Sequence, residues 1–216
     1  GIIEMKDNLE EKATLEIPHH LSYWQSDVDA ETMRRWSNNA QDAVWKADLR
    51  LHVKTQGHKS ILDCGAALCD EYFAFCREQY DVEYTATEIT KKYVDHAKEL
   101  GINIFHCGID KLPFADKSFD YVMCYGVLNH QLEYEQAIRE MVRVAKKEVM
   151  ISFFKKFEEN MTPACTSGKY ELEKVETGTI EKRIIKDEKN VCLYNFFNKA
   201  RMEKFINTCF NNEIEY

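Results

Sequence analysis

The chain has no cysteine pair at CxxC spacing, although it holds eight cysteines: Cys64, Cys69, Cys76, Cys107, Cys124, Cys165, Cys192 and Cys209. That spacing gives neither a paired-thiolate zinc site nor a disulfide framework, so no bound metal is expected. Cys107 and Cys124 sit in apolar runs and Cys209 on an apolar helix face, and the thiols read as reduced core residues. Proline and glycine are scarce, at three and eight, and no repeat or low-complexity stretch appears. Long apolar runs are missing too: none approaches the roughly 18 residues of a membrane span. Nor does a charged start followed by an apolar segment mark a signal peptide. Basic residues are in deficit, 29 against 37 acidic, for a net charge of −8. This disfavours binding to nucleic-acid phosphates or anionic lipid, and a soluble cytoplasmic protein is expected.

What is present is a 216-residue chain, 44% apolar, 31% charged and 12% aromatic. That is one ordinary folded domain with modest additions. Its middle alternates. Ser60–Cys64 is a short apolar run, and Tyr72, Phe73, Cys76 and Tyr80 follow at helical spacing. Residues 82–86 are strand-like. Thr90 then caps a helix with Tyr93, Val94 and Ala97 inward, and Gly101 closes it. Residues 102–107, 119–125 and 148–154 read as further strands. Between the last two, Tyr134, Ala137, Ile138, Met141, Val142 and Ala145 mark an amphipathic helix. Strands alternating with helices predict an α/β fold whose mostly parallel sheet is covered by helices on both faces. Residues 59–154 form this core.

Residues 1–58 are expected to form an N-terminal helical cap. Its long helix is capped by Asp29, with Met33, Trp36, Ala40, Val44, Ala47 and Leu51 facing inward. Residues 155–216 begin charged and irregular. A β-hairpin is then expected near the C-terminus, residues 180–185 pairing with 191–197 across the turn 186–190. A last helix carries Met202, Phe205, Ile206, Cys209 and Phe210, and residues 213–216 form a strand. The whole is one domain, 1–216.

The first strand runs into Asp63-Cys64-Gly65-Ala66-Ala67-Leu68-Cys69 and a helix starts at once. Such a turn lets backbone approach a ligand closely, with helix N–H groups aimed at it; an ordinary connecting turn is the plain alternative. Glu88, at the end of the second strand, can accept both hydrogen bonds of a ribose diol, or can simply be a solvated loop carboxylate. Together they suggest an adenosine-type cofactor.

The run Leu112-Pro113-Phe114-Ala115-Asp116-Lys117-Ser118-Phe119-Asp120-Tyr121-Val122 then reads LPF-x-D-x-SFD-x-V. It resembles the class I S-adenosylmethionine-dependent methyltransferases, in particular the small-molecule branch called type 11. Val127-Leu128-Asn129-His130 resembles that branch's VL-x-H, and Glu140 to Lys146 its E-x-x-R-V-x-K. The resemblance covers about residues 60–154 and implies a Rossmann-like sheet with S-adenosylmethionine as cofactor. By position, Asp63, Gly65 and Ala66 would line the methionine end and Glu88 would bind the ribose. Ile89 would pack on the adenine, with Gly108, Ile109 and Asp110 at its edge and Tyr125 beside the sulfonium.

Departures from the family pattern are several. Ala67 and Cys69 replace the second and third glycines of D-x-G-x-G-x-G, and their larger side chains are expected to crowd the loop, either reducing affinity or slightly reshaping it. Gly108 stands where the family has aspartate, leaving Asp110 as the substitute. Lys147 and Glu148 replace a Pro-Gly-Gly turn. The family's antiparallel seventh strand is expected to be missing or to lie beyond Tyr216.

The implied reaction is in-line transfer of an activated methyl to a small-molecule acceptor, which asks mainly for positioning. Where the acceptor must lose a proton, His130, His19 and His20 are the candidate bases. Acceptor contacts are expected outside the sheet, from Tyr23 and Trp24 and from Tyr194 and Asn195, with Trp36, Tyr170, Phe196 and Phe197 as further large side chains there. Alternatively the hairpin edge pairs with a second copy to give a homodimer. Two other readings share the fold: a nicotinamide-dependent oxidoreductase and a non-catalytic cofactor-binding scaffold. The LPF-x-D-x-SFD run argues against the first, and the altered glycine loop favours the second.

Overall fold

The computed structural model describes residues 43–131, 133–152, 170–174, 181–185, 197 and 199–210. In chain order these give α1 (Val44–Thr55), β1 (Ser60–Cys64), α2 (Asp70–Arg77), β2 (Glu83–Glu88), α3 (Lys91–Glu99) and β3 (Ile104–His106). There follow β4 (Phe119–Tyr125), α4 (Tyr134–Val144), β5 (Ala145–Ser152), β6 (Tyr170–Lys174), β7 (Glu181–Ile185) and α5 (Lys199–Phe210). Five strands form one sheet in the order β3-β2-β1-β4-β5, and every pairing within it is parallel. The expected parallel sheet and the positions of its strands are borne out.

Strand alternation sorts the core onto two faces. Leu62, Cys64, Val122 and Cys124 pack with Ala137, Ile138, Met141 and Val144 of α4 and with Met202 and Ile206 of α5. Ile61, Tyr121 and Met123 pack on the other side with Val53 of α1, Phe75 of α2, and Val94 and Ala97 of α3. Phe197, expected near the acceptor, lies instead in the first of these clusters, its ring edge-on to Tyr134 at 4.9 Å. Cys64, Cys69 and Cys124 are buried free thiols as expected, whereas Cys76 is exposed on α2.

Helix α1 turns the other way from the sequence expectation. Val44 and Leu51 are 75% and 61% exposed, and the inward face is Lys46, Arg50 and Val53. The reason is electrostatic. Glu71 and Glu78 at the two ends of α2 meet α1, with Lys46 Nζ 3.1 Å from Glu71, Arg50 Nη1 2.9 Å from Glu71 and Arg50 Nε 2.7 Å from Glu78. Buried cations tolerated only because they are paired replace the apolar stripe that hydrophobic periodicity looks for. The expected helix residues before 43 lie outside the described residues.

Among the described residues a hairpin is formed by 181–185 pairing antiparallel with 170–174, a partner the sequence did not suggest, and the register sets Glu173 opposite Lys182 and Lys174 opposite Glu181. The segment read as irregular because it is charged therefore supplies a strand. Residues 191–196 and 213–216 lie outside the described residues.

Two of the motifs prove to be scaffolding. Arg143 on α4 pairs with Glu140 through Nε and Nη2 at 2.8 and 2.9 Å, and donates to the carbonyls of Phe114 and Leu112 at 2.7 and 3.1 Å. Glu140 accepts the Leu112 N–H at 2.9 Å, and Arg143 also reaches Asp116 at 2.9 Å. The pair thus clasps the connection from β3 to β4. Asp120 ties β4 to the start of β1 by accepting the N–H groups of Lys59 and Ser60, bonds that hold its carboxyl below the usual range.

Arg143→Ala should lower the unfolding free energy by about 1.5–3 kcal/mol, the scale of lost charge-assisted hydrogen bonds. It should also expose the 110–117 connection to limited proteolysis. Urea unfolding with mass-spectrometric mapping of early cuts checks both, and wild-type stability would contradict the clasp.

Candidate functional site

A ligand crevice in an open parallel sheet forms at the carboxyl ends of the strands where their order reverses. Here the reversal lies between β1 and β4. The first element of the site is the turn after β1. Its backbone has positive φ at Gly65 (71°), Ala67 (47°) and Cys69 (58°). These are the three glycine positions of the motif the sequence resembles, and Ala67 and Cys69 bear the cost of the left-handed conformation, about 1–2 kcal/mol for each non-glycine residue. Gly65 is required on a second count, because a Cβ there would stand 2.6 Å from Val127 Cγ2. The loop is anchored by the Gly65 and Ala66 N–H groups, both donating to the Thr87 carbonyl at 2.9 and 3.0 Å.

Asp63, one residue before the end of β1, is buried and accepts a 2.6 Å hydrogen bond from the Tyr84 hydroxyl. Burial pushes its carboxyl up to about 7, against the opposing effect of Tyr84; Glu71 and Asp70 raise it further and Lys46 lowers it. Near neutral pH it is therefore poised to ionise when a cationic group arrives, because an opposite charge favours the carboxylate.

Glu88 ends β2, also buried. One carboxylate oxygen accepts the Ile89 and Thr90 N–H groups, each at 2.9 Å, and the other accepts the Ala67 N–H at 2.9 Å. A carboxylate has about four lone-pair positions. Among the described residues three are engaged, so Glu88 joins the glycine loop to the β2 end.

Beyond β3, a Cβ on Gly108 would meet Asp110 Oδ1 at 2.5 Å and Ile89 Cδ1 at 4.0 Å. The Asp110 carboxylate thus fills the space that a side chain at 108 would occupy. Ile109 is buried in the core cluster that includes the inner face of α4. The His106 ring lies 2.9 Å from the Ile89 carbonyl through Nε2 and steadies that loop.

At the end of β4, Tyr125 is 3.3 Å from the Tyr121 hydroxyl. Burial, then Tyr121, keeps the Tyr125 phenol well above its usual range. The ring of Trp45, on the first turn of α1, stands edge-on to Tyr125 at 5.3 Å, and Lys46 Nζ lies 5.8 Å from the Tyr125 centroid. Sequence reading missed Trp45; its one signal was a large aromatic at the start of a helix that leads into β1. His130 is buried in the one-turn helix Leu128–His130 that follows β4. Tyr23, Trp24, Tyr194 and Asn195, like His19, His20, Trp36 and Phe196, lie outside the described residues; Tyr170 begins β6.

The donor set fits an S-adenosyl group: an ionisable buried carboxyl at one end, a tight turn with closely approaching backbone, a second carboxylate one strand over, and the Ile89, Gly108 and Asp110 cradle beyond it.

Comparison with known proteins agrees. A family described as a methyltransferase domain matches residues 62–153. The chain is 33% identical over 111 residues to an uncharacterized methyltransferase, YcgJ, of Bacillus subtilis (strain 168), covering 47% of this chain and 43% of that one. It spans about half the length of the curated relatives it matches. Two crystal structures are similar in fold. The PH0226 protein from Pyrococcus horikoshii OT3 has a TM-score of 0.56 at 17% identity, over 89% of this chain and 90% of that one. The Burkholderia thailandensis 1,6-didemethyltoxoflavin-N1-methyltransferase, crystallised with 1,6-didemethyltoxoflavin and S-adenosylhomocysteine, has a TM-score of 0.51 at 16% identity, over 91% and 80%.

Ala67→Gly relieves the left-handed strain at the cost of about 0.5–1 kcal/mol of unfolded-chain entropy, so its stability should equal or exceed wild type by up to about 1 kcal/mol. Gly65→Ala should lose more than about 2 kcal/mol through the Val127 clash and the positive φ. Denaturant midpoints of the two variants decide; a clear loss in Ala67→Gly would show that its side chain has a positive role.

Proposed function

We propose that the chain, whose residues 62–153 match a methyltransferase domain, is a class I S-adenosylmethionine-dependent methyltransferase and transfers a methyl group from S-adenosylmethionine to a small-molecule acceptor by in-line displacement, a reading its similarity to an uncharacterized methyltransferase supports. The observation that carries this reading is the convergence of Asp63, the Gly65 turn and Glu88 at neighbouring strand ends. When bound, the cofactor supplies a sulfonium methyl that is already activated. What the chain contributes is binding and alignment. By family position, Asp63, Gly65 and Ala66 hold the methionine end, and Glu88 the ribose. By the same family position, Ile89 would pack on the adenine with Gly108, Ile109 and Asp110 at its edge, and Tyr125 would lie beside the reacting centre. His130 is the candidate base for an acceptor that must shed a proton.

A small acceptor is supported by the net charge of −8, which suits neither nucleic acid nor anionic membrane. The Trp45 and Tyr125 rings, next to one another at the β4 end, offer an apolar wall for a planar or hydrophobic molecule. Tyr23, Trp24, Tyr194 and Asn195 remain acceptor candidates from the sequence alone. No described helix is long and apolar enough to cross a membrane, which accords with action on a diffusible substrate.

Titration calorimetry should detect S-adenosylmethionine binding, and Glu88→Ala, with its fold checked by circular dichroism, should bind at least about tenfold more weakly. With methyl-labelled cofactor and a cell extract, label should enter the small-molecule fraction. Trp45→Ala should keep cofactor affinity and lose labelled product. Absence of binding would overturn the cofactor assignment, and label in protein or nucleic acid would overturn the acceptor class.

A further inference from the structure

At the amino ends of the strands, away from the cofactor crevice, three side chains from separate elements meet: His52 on α1, His58 just before β1 and Glu148 on β5. Glu148 Oε2 lies 2.7 Å from His52 Nε2 and 3.2 Å from His58 Nε2, and one ligand atom of each residue lies within 4.8 Å of the other two. His58 is buried to 2% exposure, yet among the described residues neither of its ring nitrogens has a properly aligned hydrogen-bond partner. Its position is nevertheless fixed. The ring stacks on Tyr121 at 5.7 Å, the His58 N–H donates to Val53, and the His58 carbonyl accepts from the Tyr80 hydroxyl. A buried imidazole held this firmly without satisfying its nitrogens is costly unless something else does so.

We propose that His52, His58 and Glu148 form a binding site for a divalent transition-metal ion of the zinc type. Two imidazole nitrogens and one carboxylate oxygen suit zinc and not magnesium or calcium, which take oxygen ligands. Tetrahedral coordination at about 2.0–2.2 Å asks for donors about 3.4 Å apart, to be compared with 2.7 and 3.2 Å from Glu148 to the two imidazoles and at most 4.8 Å between any two of the three donors. His52 and Glu148 are 40% and 35% exposed, so water can complete the shell. The ion would pin the end of α1 to β5 and add its binding energy to the folded state alone. Cysteine spacing could not reveal the site, because its donors are imidazoles and a carboxylate joined only by the packing of α1 on the sheet.

The test uses the full chain, stripped with chelator and kept reduced, titrated with Co²⁺ and then Zn²⁺. The expected result is one Co²⁺ per chain with visible ligand-field bands and no near-ultraviolet thiolate charge-transfer band, and a raised thermal midpoint with Zn²⁺. Replacing half-exposed His52 by alanine does not threaten the fold as the loss of His58 would. His52→Ala and Glu148→Gln should each weaken binding at least about tenfold, while His96→Ala on exposed α3 should not. Absence of binding at micromolar metal, a thiolate band, or unchanged affinity in His52→Ala would each overturn the proposal.

Discussion

A parallel sheet that starts in the middle, builds outward on one side and then returns to build on the other must leave a gap where the two directions part. In this chain the gap lies between β1 and β4, and the rest of the molecule depends on it. The β1 turn can enter it only as left-handed backbone, with Val127 closing over Gly65. The β2 end can enter only as a buried carboxylate whose charge is met by backbone N–H groups, which Glu88 achieves by taking up the Ala67, Ile89 and Thr90 amides. Fold and site are thus one construction: the hydrogen bonds that secure the loops also fix the groups that would face a cofactor.

The sequence motifs divide into two kinds on this view. Asp63, Gly65 and Glu88 border the crevice. Arg143, Glu140 and Asp120 lie away from it and act on the chain itself, holding the β3–β4 connection against α4 and the start of β4 against β1. The second kind carried much of the family resemblance although it performs no chemistry. A loop that must present Gly108 and Asp110 needs a fixed return path, and a guanidinium with five donors in a rigid fork can bind two carbonyls and a carboxylate at once.

Strands β1 to β5 and helices α3 and α4 were legible because each buries apolar residues at the period of its own geometry; α2 was located but its inward face was not, since it buries Glu71, Ala74 and Phe75 while Phe73 and Cys76 are exposed. The inward face of α1 was not legible, because Lys46 and Arg50 occupy it and their partners lie on α2, beyond the reach of local periodicity. Strand β6 was not seen for a similar reason: Glu171, Glu173 and Lys174 conceal a strand in which only Glu173 and Lys174 face opposite charges, Lys182 and Glu181, in register. At the site, the acid at the end of each strand could be found by position. Trp45 and the triad of His52, His58 and Glu148 could not, since only the packing of α1 across the sheet brings them to Tyr125 and to one another.

The central claim is that the β1–β4 crevice receives an S-adenosyl ligand through the β1, β2 and β3 loops together. Amide hydrogen exchange with and without saturating S-adenosylhomocysteine tests it most directly. The account predicts protection concentrated in residues 63–69, 88–90 and 108–110, with the amino ends of the strands unchanged. Unaltered exchange in those three loops, or protection confined to another part of the chain, would contradict it.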